Sequence, residues 1–151
     1  MNATIPRALS RSIAVLALLA VVSCGGGDTA PETGVGGKWS GQLLQPKTGG
    51  NTQFDYSMTL TQSGTTVSGT AHISVLDLPQ YYADFSVTGT VTGSVLDFTE
   101  VSITKQVPPN TGGSWCLKRG TLTLSGDGKT LSGSWTSPSG CAPGTVSLTR
   151  S

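Results

Sequence analysis

Strict alternation of small polar and apolar residues, broken at short intervals by glycine turns, most constrains what this chain can fold into. Between residues 114 and 150, Leu122 and Leu124 alternate with Thr121 and Thr123, while Leu131, Gly133 and Trp135 alternate with Ser132, Ser134 and Thr136. Gly126-Asp127-Gly128 separates the two runs, and a third run returns to end in Val146, Leu148 and Arg150. A period of two is the side-chain period of a strand with one wet face, and a Gly-Asp-Gly junction is hairpin chemistry. The upstream chain repeats the plan at Leu60 to Gly69 and at Val91 to Asp97, each an alternating pair of runs joined through a glycine turn. Only 11% of the residues are charged, and Gly, Ser and Thr dominate, which argues against helices and for an all-β protein.

Alternation and turn chemistry predict eight strands: Lys38 to Leu44, Gln53 to Gln62, Thr66 to Ser74, Asp84 to Thr92, Val95 to Thr104, Trp115 to Leu124, Thr130 to Ser137 and Gly144 to Arg150. The inward set is Trp39, Tyr56, Met58, Leu60, Val67, Gly69, Ala71, Ile73, Phe85, Val87, Gly89, Val91, Leu96, Phe98, Leu122, Leu124, Leu131, Gly133, Trp135, Val146 and Leu148. A mostly Ser and Thr outward set suits one closed sheet, an eight-stranded antiparallel up-and-down meander barrel. Strands two to three, four to five and six to seven are joined by tight hairpins, and the other four connections read as long loops. In a meander, alternate connections emerge at opposite ends, so the long loops form one rim and the chain enters at the other end. Two of the loops stand out: Val75 to Tyr82, apolar for a surface loop, and Lys105 to Gly113.

Residues 1–23 are set apart from the fold. Arg7 and Arg11 precede an apolar run from Ile13 to Val22, which is about half the 18 to 20 residues a membrane-spanning helix needs and suits a signal peptide. Val21-Val22-Ser23-Cys24 resembles the bacterial lipobox. That resemblance implies cleavage before Cys24, acylation of Cys24 (palmitate among its chains), and lasting attachment to a membrane, since several chains anchor where one binds only marginally. Gly25 in place of an aspartate leans toward the outer membrane if the host is Gram-negative. Residues 24–37 read as the lipidated cysteine and a flexible Gly-rich tether with a reach of about 20 Å, and residues 38–151 as the barrel domain. The mature chain keeps seven of the nine basic residues and all eight acids, a net charge of 7 − 8 = −1. No basic surface for nucleic acid is expected from it.

With Cys24 acylated, Cys116 and Cys141 remain in an oxidising compartment, and folding the hairpin about Asp127 brings them within bridging distance. A disulfide is expected, closing a loop of about 25 residues worth roughly 3 to 4 kcal/mol in the chain-entropy model. His72, the only histidine, points outward by its alternation with Ala71 and Ile73, and no acid or nucleophile accompanies it in a recognisable motif. Asp55, Asp77, Asp84, Asp97, Glu100 and Asp127 look scattered. No nucleophile elbow, zinc motif or phosphate loop is visible, so neither enzymatic activity nor a cofactor or metal is expected.

Gly37-Lys38-Trp39 at the opening of the first strand, with Arg150 near the close of the last, resembles the calycin superfamily of lipocalins and avidins. The resemblance implies that Trp39 sits at the barrel base and that Arg150 packs across it. Ser40 and Gly41 stand where avidins place a biotin-holding asparagine, so biotin binding is not implied. Two functional expectations follow. The first is a carrier or sensor of a small apolar ligand in an interior lined by Tyr56, Phe85, Phe98 and Trp135, with room left by Gly69, Gly89 and Gly133. The second is a protein-binding module, such as an envelope factor or protease inhibitor, acting through a rim of Leu76, Leu78, Tyr81, Tyr82, Val107 and Trp115. Leu76, Leu78 and Tyr82 can instead fold inward as a plug, and Trp115 is either an anchor or a lid over Cys116 and Pro143. A structural lipoprotein without a specific ligand is the third reading.

Overall fold

The computed structural model describes residues 34–151; Cys24, the signal segment and residues 25–33 of the tether lie outside the described residues. Eight antiparallel strands follow in order: β1 Gly37–Lys47, β2 Gly50–Ser63, β3 Thr66–Val75, β4 Leu78–Thr92, β5 Val95–Val107, β6 Arg119–Leu124, β7 Thr130–Thr136 and β8 Gly144–Arg150. Each pairs with its sequence neighbours, and β1 pairs with β8, so the meander closes into a barrel with no helix among the described residues. The inward set matches the alternation: Trp39, Met58, Leu60, Val67, Ile73, Phe85, Leu96, Leu122, Leu131 and Leu148 are all buried. Leu43 joins them, on the same phase of β1 as Trp39 and Gly41.

Closure rests on the base. Trp39 and Arg150 are directly paired across β1 and β8, and the guanidinium carbon lies 4.3 Å from the centre of the Trp39 ring. Arg150 also donates to three carbonyls, from Nε to Gly128 at 2.9 Å and from its terminal nitrogens to Gly36 and Gly34 at 2.5 Å each. Trp39 Nε1 donates to the Val35 carbonyl at 2.8 Å. Val35 is fully buried, so the end of the stretch read from the sequence as tether is part of the core and seals the barrel floor. The cause is chemical: the indole N–H and the terminal guanidinium nitrogens offer donors that the Gly34, Val35 and Gly36 carbonyls accept.

At the other end the structure departs from the expected four long loops. The β1–β2 and β3–β4 connections are two-residue turns at Thr48-Gly49 and Leu76-Asp77. Gly49 supplies a positive φ of 83°, and Asp77 takes one of 64°, a conformation that a short polar side chain tolerates. The residues expected to form a rim loop therefore belong to long strands, and only the β5–β6 and β7–β8 connections remain long. The segment Trp115–Lys118, read from the sequence as strand, is loop leading into β6.

The β4–β5 pairing shifts register twice, leaving Val101 and Thr104 as extra residues on β5. Each bulge resets which side chains face in. Glu100 stays opposite inward Val87, Ile103 comes opposite inward Phe85, and Val101 is turned out to 49% exposure.

Replacing Arg150 by lysine keeps the charge but cannot hold three carbonyls in one plane. Arg150→Lys is expected to lower the unfolding free energy by about 1–3 kcal/mol in urea titrations. An unchanged midpoint would mean that the base clamp contributes nothing to closure.

Candidate functional site

The barrel interior holds a polar cluster that the alternation of apolar residues conceals. Glu100 continues the inward phase of Leu96 and Phe98 on β5, and Lys118 continues the inward phase of Gly120 and Leu122 just ahead of β6. The ladder sets them face to face, because Thr99 pairs with Arg119 and the Glu100 N–H donates to the Lys118 carbonyl at 2.8 Å. Lys118 Nζ lies 3.0 Å from Glu100 Oε2, with both side chains almost wholly buried. Tyr56 donates its hydroxyl to Glu100 Oε1 at 2.7 Å, and the Lys118 amide donates to Oε2 at 2.8 Å. The ammonium also donates to the Cys116 carbonyl at 2.9 Å and sits 4.1 Å from the centre of the Phe85 ring.

Burial sets the electrostatics. It pushes the Glu100 carboxyl above the usual carboxylate range, against the pull of the Lys118 ammonium and the Tyr56 hydroxyl. Burial also lowers Lys118 from the ordinary lysine value, against the attraction of Glu100. Tyr56 is held well above its ordinary value, first by burial and then by the neighbouring carboxylate. Two charges in an apolar barrel cost several kcal/mol each to desolvate, so the pair persists only because every polar atom in it is met.

Above this cluster the mouth opens into a cup of about 170 Å³. Its walls include Leu43, Phe54 and Ile73 from β1 to β3, Trp135 from β7, and Trp115 with Pro108 and Pro109 from the β5–β6 loop. Trp115 packs edge-on against Phe54, with ring centroids 5.7 Å apart and planes at 72°, and its Nε1 donates to the Val107 carbonyl at 3.3 Å. Its amide and the Ser114 hydroxyl both donate to Gln106 Oε1. Cys116 and Cys141 form a disulfide with Cα atoms 6.3 Å apart, joining the two long loops over the cup. The Trp135 ring edge lies against the backbone, where its buried Nε1 has no hydrogen-bond partner among the described residues; a Cβ at Gly144 would come within 2.8 Å of that atom.

The other expected site residues fall elsewhere. Tyr56, Phe85 and Phe98 are 2%, 0% and 2% exposed and form the packed core below the cup instead of lining it. The inward glycines leave no room there: Leu96 Cδ1 would lie 3.0 Å from a Cβ at Gly89, and a Cβ at Gly133 would collide with the Thr121 carbonyl. The proposed inward plug does not form. Tyr82 faces out, stacked on His72 at 5.7 Å and 27°, with Lys105 Nζ 5.4 Å from its ring centre. Leu78 is 47% exposed, and Leu76 and Tyr81 are half-buried near the β3–β4 turn, away from the cup wall. His72 faces outward as expected, and Asp84 on the next strand meets its Nδ1 at 2.6 Å. Comparison of the sequence with protein-family models and with curated proteins finds no match.

The buried pair yields a pH prediction. A carboxyl whose folded pKa is raised supports the fold fully below its unfolded pKa, and that support is lost as pH rises through the folded value. Lys118→Met removes the ammonium that restrains this rise. The variant is expected to fall short of the parent by about 3–5 kcal/mol near pH 8. The deficit shrinks toward about pH 5 as Glu100 takes up a proton. A deficit that stays constant across that range, measured by chemical denaturation, would contradict the need of the carboxylate for its counter-ion.

Proposed function

We propose that this chain is a lipid-anchored envelope protein whose barrel mouth takes up one small apolar molecule, as a carrier or sensor. The anchor rests on the lipobox-like Val21-Val22-Ser23-Cys24, and the outer membrane on Gly25. The chain enters the barrel at the Trp39 end, opposite the cup. A membrane-attached Cys24 then leaves the mouth facing away from the bilayer.

The observation that carries the ligand reading is the cup itself. It is walled by two tryptophans, a phenylalanine, leucine, isoleucine and two prolines, and two loops joined by a disulfide hold its shape. At about 170 Å³ it is smaller than the roughly 300 to 1,000 Å³ of drug-sized sites, and close to the roughly 150 Å³ apolar cavity that accepts benzene. A one-ring molecule fits, whereas a fatty acid or porphyrin would need the space that Tyr56, Phe85 and Phe98 fill. Leu78 and Val107, 47% and 40% exposed at the mouth end, favour a second reading in which the rim docks on an envelope protein.

Trp115 and Trp135 report on the cup directly. Titrating the purified barrel with benzyl alcohol is expected to change tryptophan emission saturably and to raise the melting temperature, while palmitate and haem do neither. No response to one-ring compounds, together with in-cell cross-links from residues 78 and 107 to one protein, would replace the carrier reading with the docking one. Metabolic labelling with palmitate is expected to mark the parent and not Cys24→Ser.

A further inference from the structure

Among the described residues, Lys118 is the one charged side chain on the wall of the mouth cup and the one buried lysine; Lys38, Lys47, Lys105 and Lys129 are all exposed. Its ammonium is held by Glu100 Oε2 at 3.0 Å and by the carbonyl of Cys116, itself a wall residue, at 2.9 Å. Stability alone does not call for such a pair, since apolar residues of similar volume serve a core as well or better. A primary amine on a wall residue of an apolar, one-ring-sized cup, paired with a fixed carboxylate, is the set of parts needed to hold a carbonyl compound covalently. We infer that the cup takes its ligand as a small apolar aldehyde, bound to Lys118 Nζ as a protonated imine with Glu100 as counter-ion.

The inference rests on the cup being a ligand site and adds the chemical class. Lys118 Nζ passes a proton to Glu100 Oε2 across their 3.0 Å contact, which frees the nitrogen lone pair. That pair adds to the aldehyde carbon, and the carbonyl oxygen takes the proton back from Glu100 to give a carbinolamine. Loss of the hydroxyl as water, with one proton from nitrogen, leaves a protonated imine. The sum is ammonium plus aldehyde giving iminium plus water, with charge and atoms conserved and no electron donor or acceptor required.

The surroundings suit each state. Glu100 stays in place while the amine reacts, because the Tyr56 hydroxyl holds Oε1 and the Lys118 amide holds Oε2. The Phe85 ring, 4.1 Å from Nζ, favours a cation there before and after reaction. Burial lowers the proton affinity of Lys118, which raises the share of reactive amine relative to an exposed lysine. The apolar walls slow the return of water to the imine.

Benzaldehyde with cyanoborohydride traps the imine as a stable benzyl amine, and benzyl alcohol has the same ring without the reactive carbon. The expected result is one benzyl group on Lys118, ahead of Lys38, Lys47, Lys105 and Lys129 in peptide mass maps, and suppressed by excess benzyl alcohol. Lys118→Arg keeps the cation and is expected to lose the adduct; competition on the parent protein gives the same answer if that variant fails to fold. Alcohol binding without preferential labelling of Lys118 overturns the imine and leaves the cup reading intact. Labelling of Lys118 that excess alcohol does not suppress also overturns it, by putting the reaction outside the cup. If the alcohol fails to bind and the aldehyde fails to label Lys118, the cup reading falls and the inference with it.

Discussion

Closure of one sheet on itself is the constraint from which the remaining features follow. A meander of eight strands has two edges, and this chain removes them by pairing β1 with β8 from Trp39 and Arg150 to Leu44 and Thr145. Arg150 is the keystone of that seam. Its guanidinium lies over the Trp39 indole and gathers carbonyls from the incoming chain at Gly34 and Gly36 and from the β6–β7 turn at Gly128. Once the base is sealed by Val35, the interior can open only at the mouth.

Strand length decides what the mouth becomes. Strands β1 to β5 run to between 10 and 15 residues, while β6 to β8 have six or seven, so the wall is low on one side. The β5–β6 and β7–β8 loops fill that gap, and their disulfide makes them one cover. Beneath it the tall strands supply Leu43, Phe54 and Ile73, the low side supplies Trp135, and the buried Tyr56–Glu100–Lys118 cluster sets the depth. A barrel with a full core and a shallow, rigid cup suits a small ligand better than a long one.

The sequence carried the all-β class, the eight strands, the meander order and the disulfide, because period-two alternation and glycine turns are local signals. It misled at the β3–β4 turn because Leu76-Asp77 lacks a glycine, so a tight turn read as a loop and the strand beyond it as a rim. It also concealed the polar cluster. Glu100 and Lys118 each sit two residues from an inward glycine or aromatic, so continuing the alternation by one step would have found both, but no local pattern says that they face each other across the β5–β6 ladder. The bulges at Val101 and Thr104 end the alternation directly after Glu100, so it looks like one more scattered acid. Tyr56, Phe85 and Phe98 were rightly placed inside, but a list of inward residues does not say whether they enclose a space or fill it.

We propose that the mouth cup accepts one small apolar molecule. The most direct measurement is a crystal structure of the barrel exposed to benzene vapour. Density for a single ring is expected among Phe54, Trp115 and Trp135, with the core around Tyr56, Phe85 and Phe98 unchanged. A cup that stays filled with ordered water, or a ring that lodges elsewhere, would contradict it.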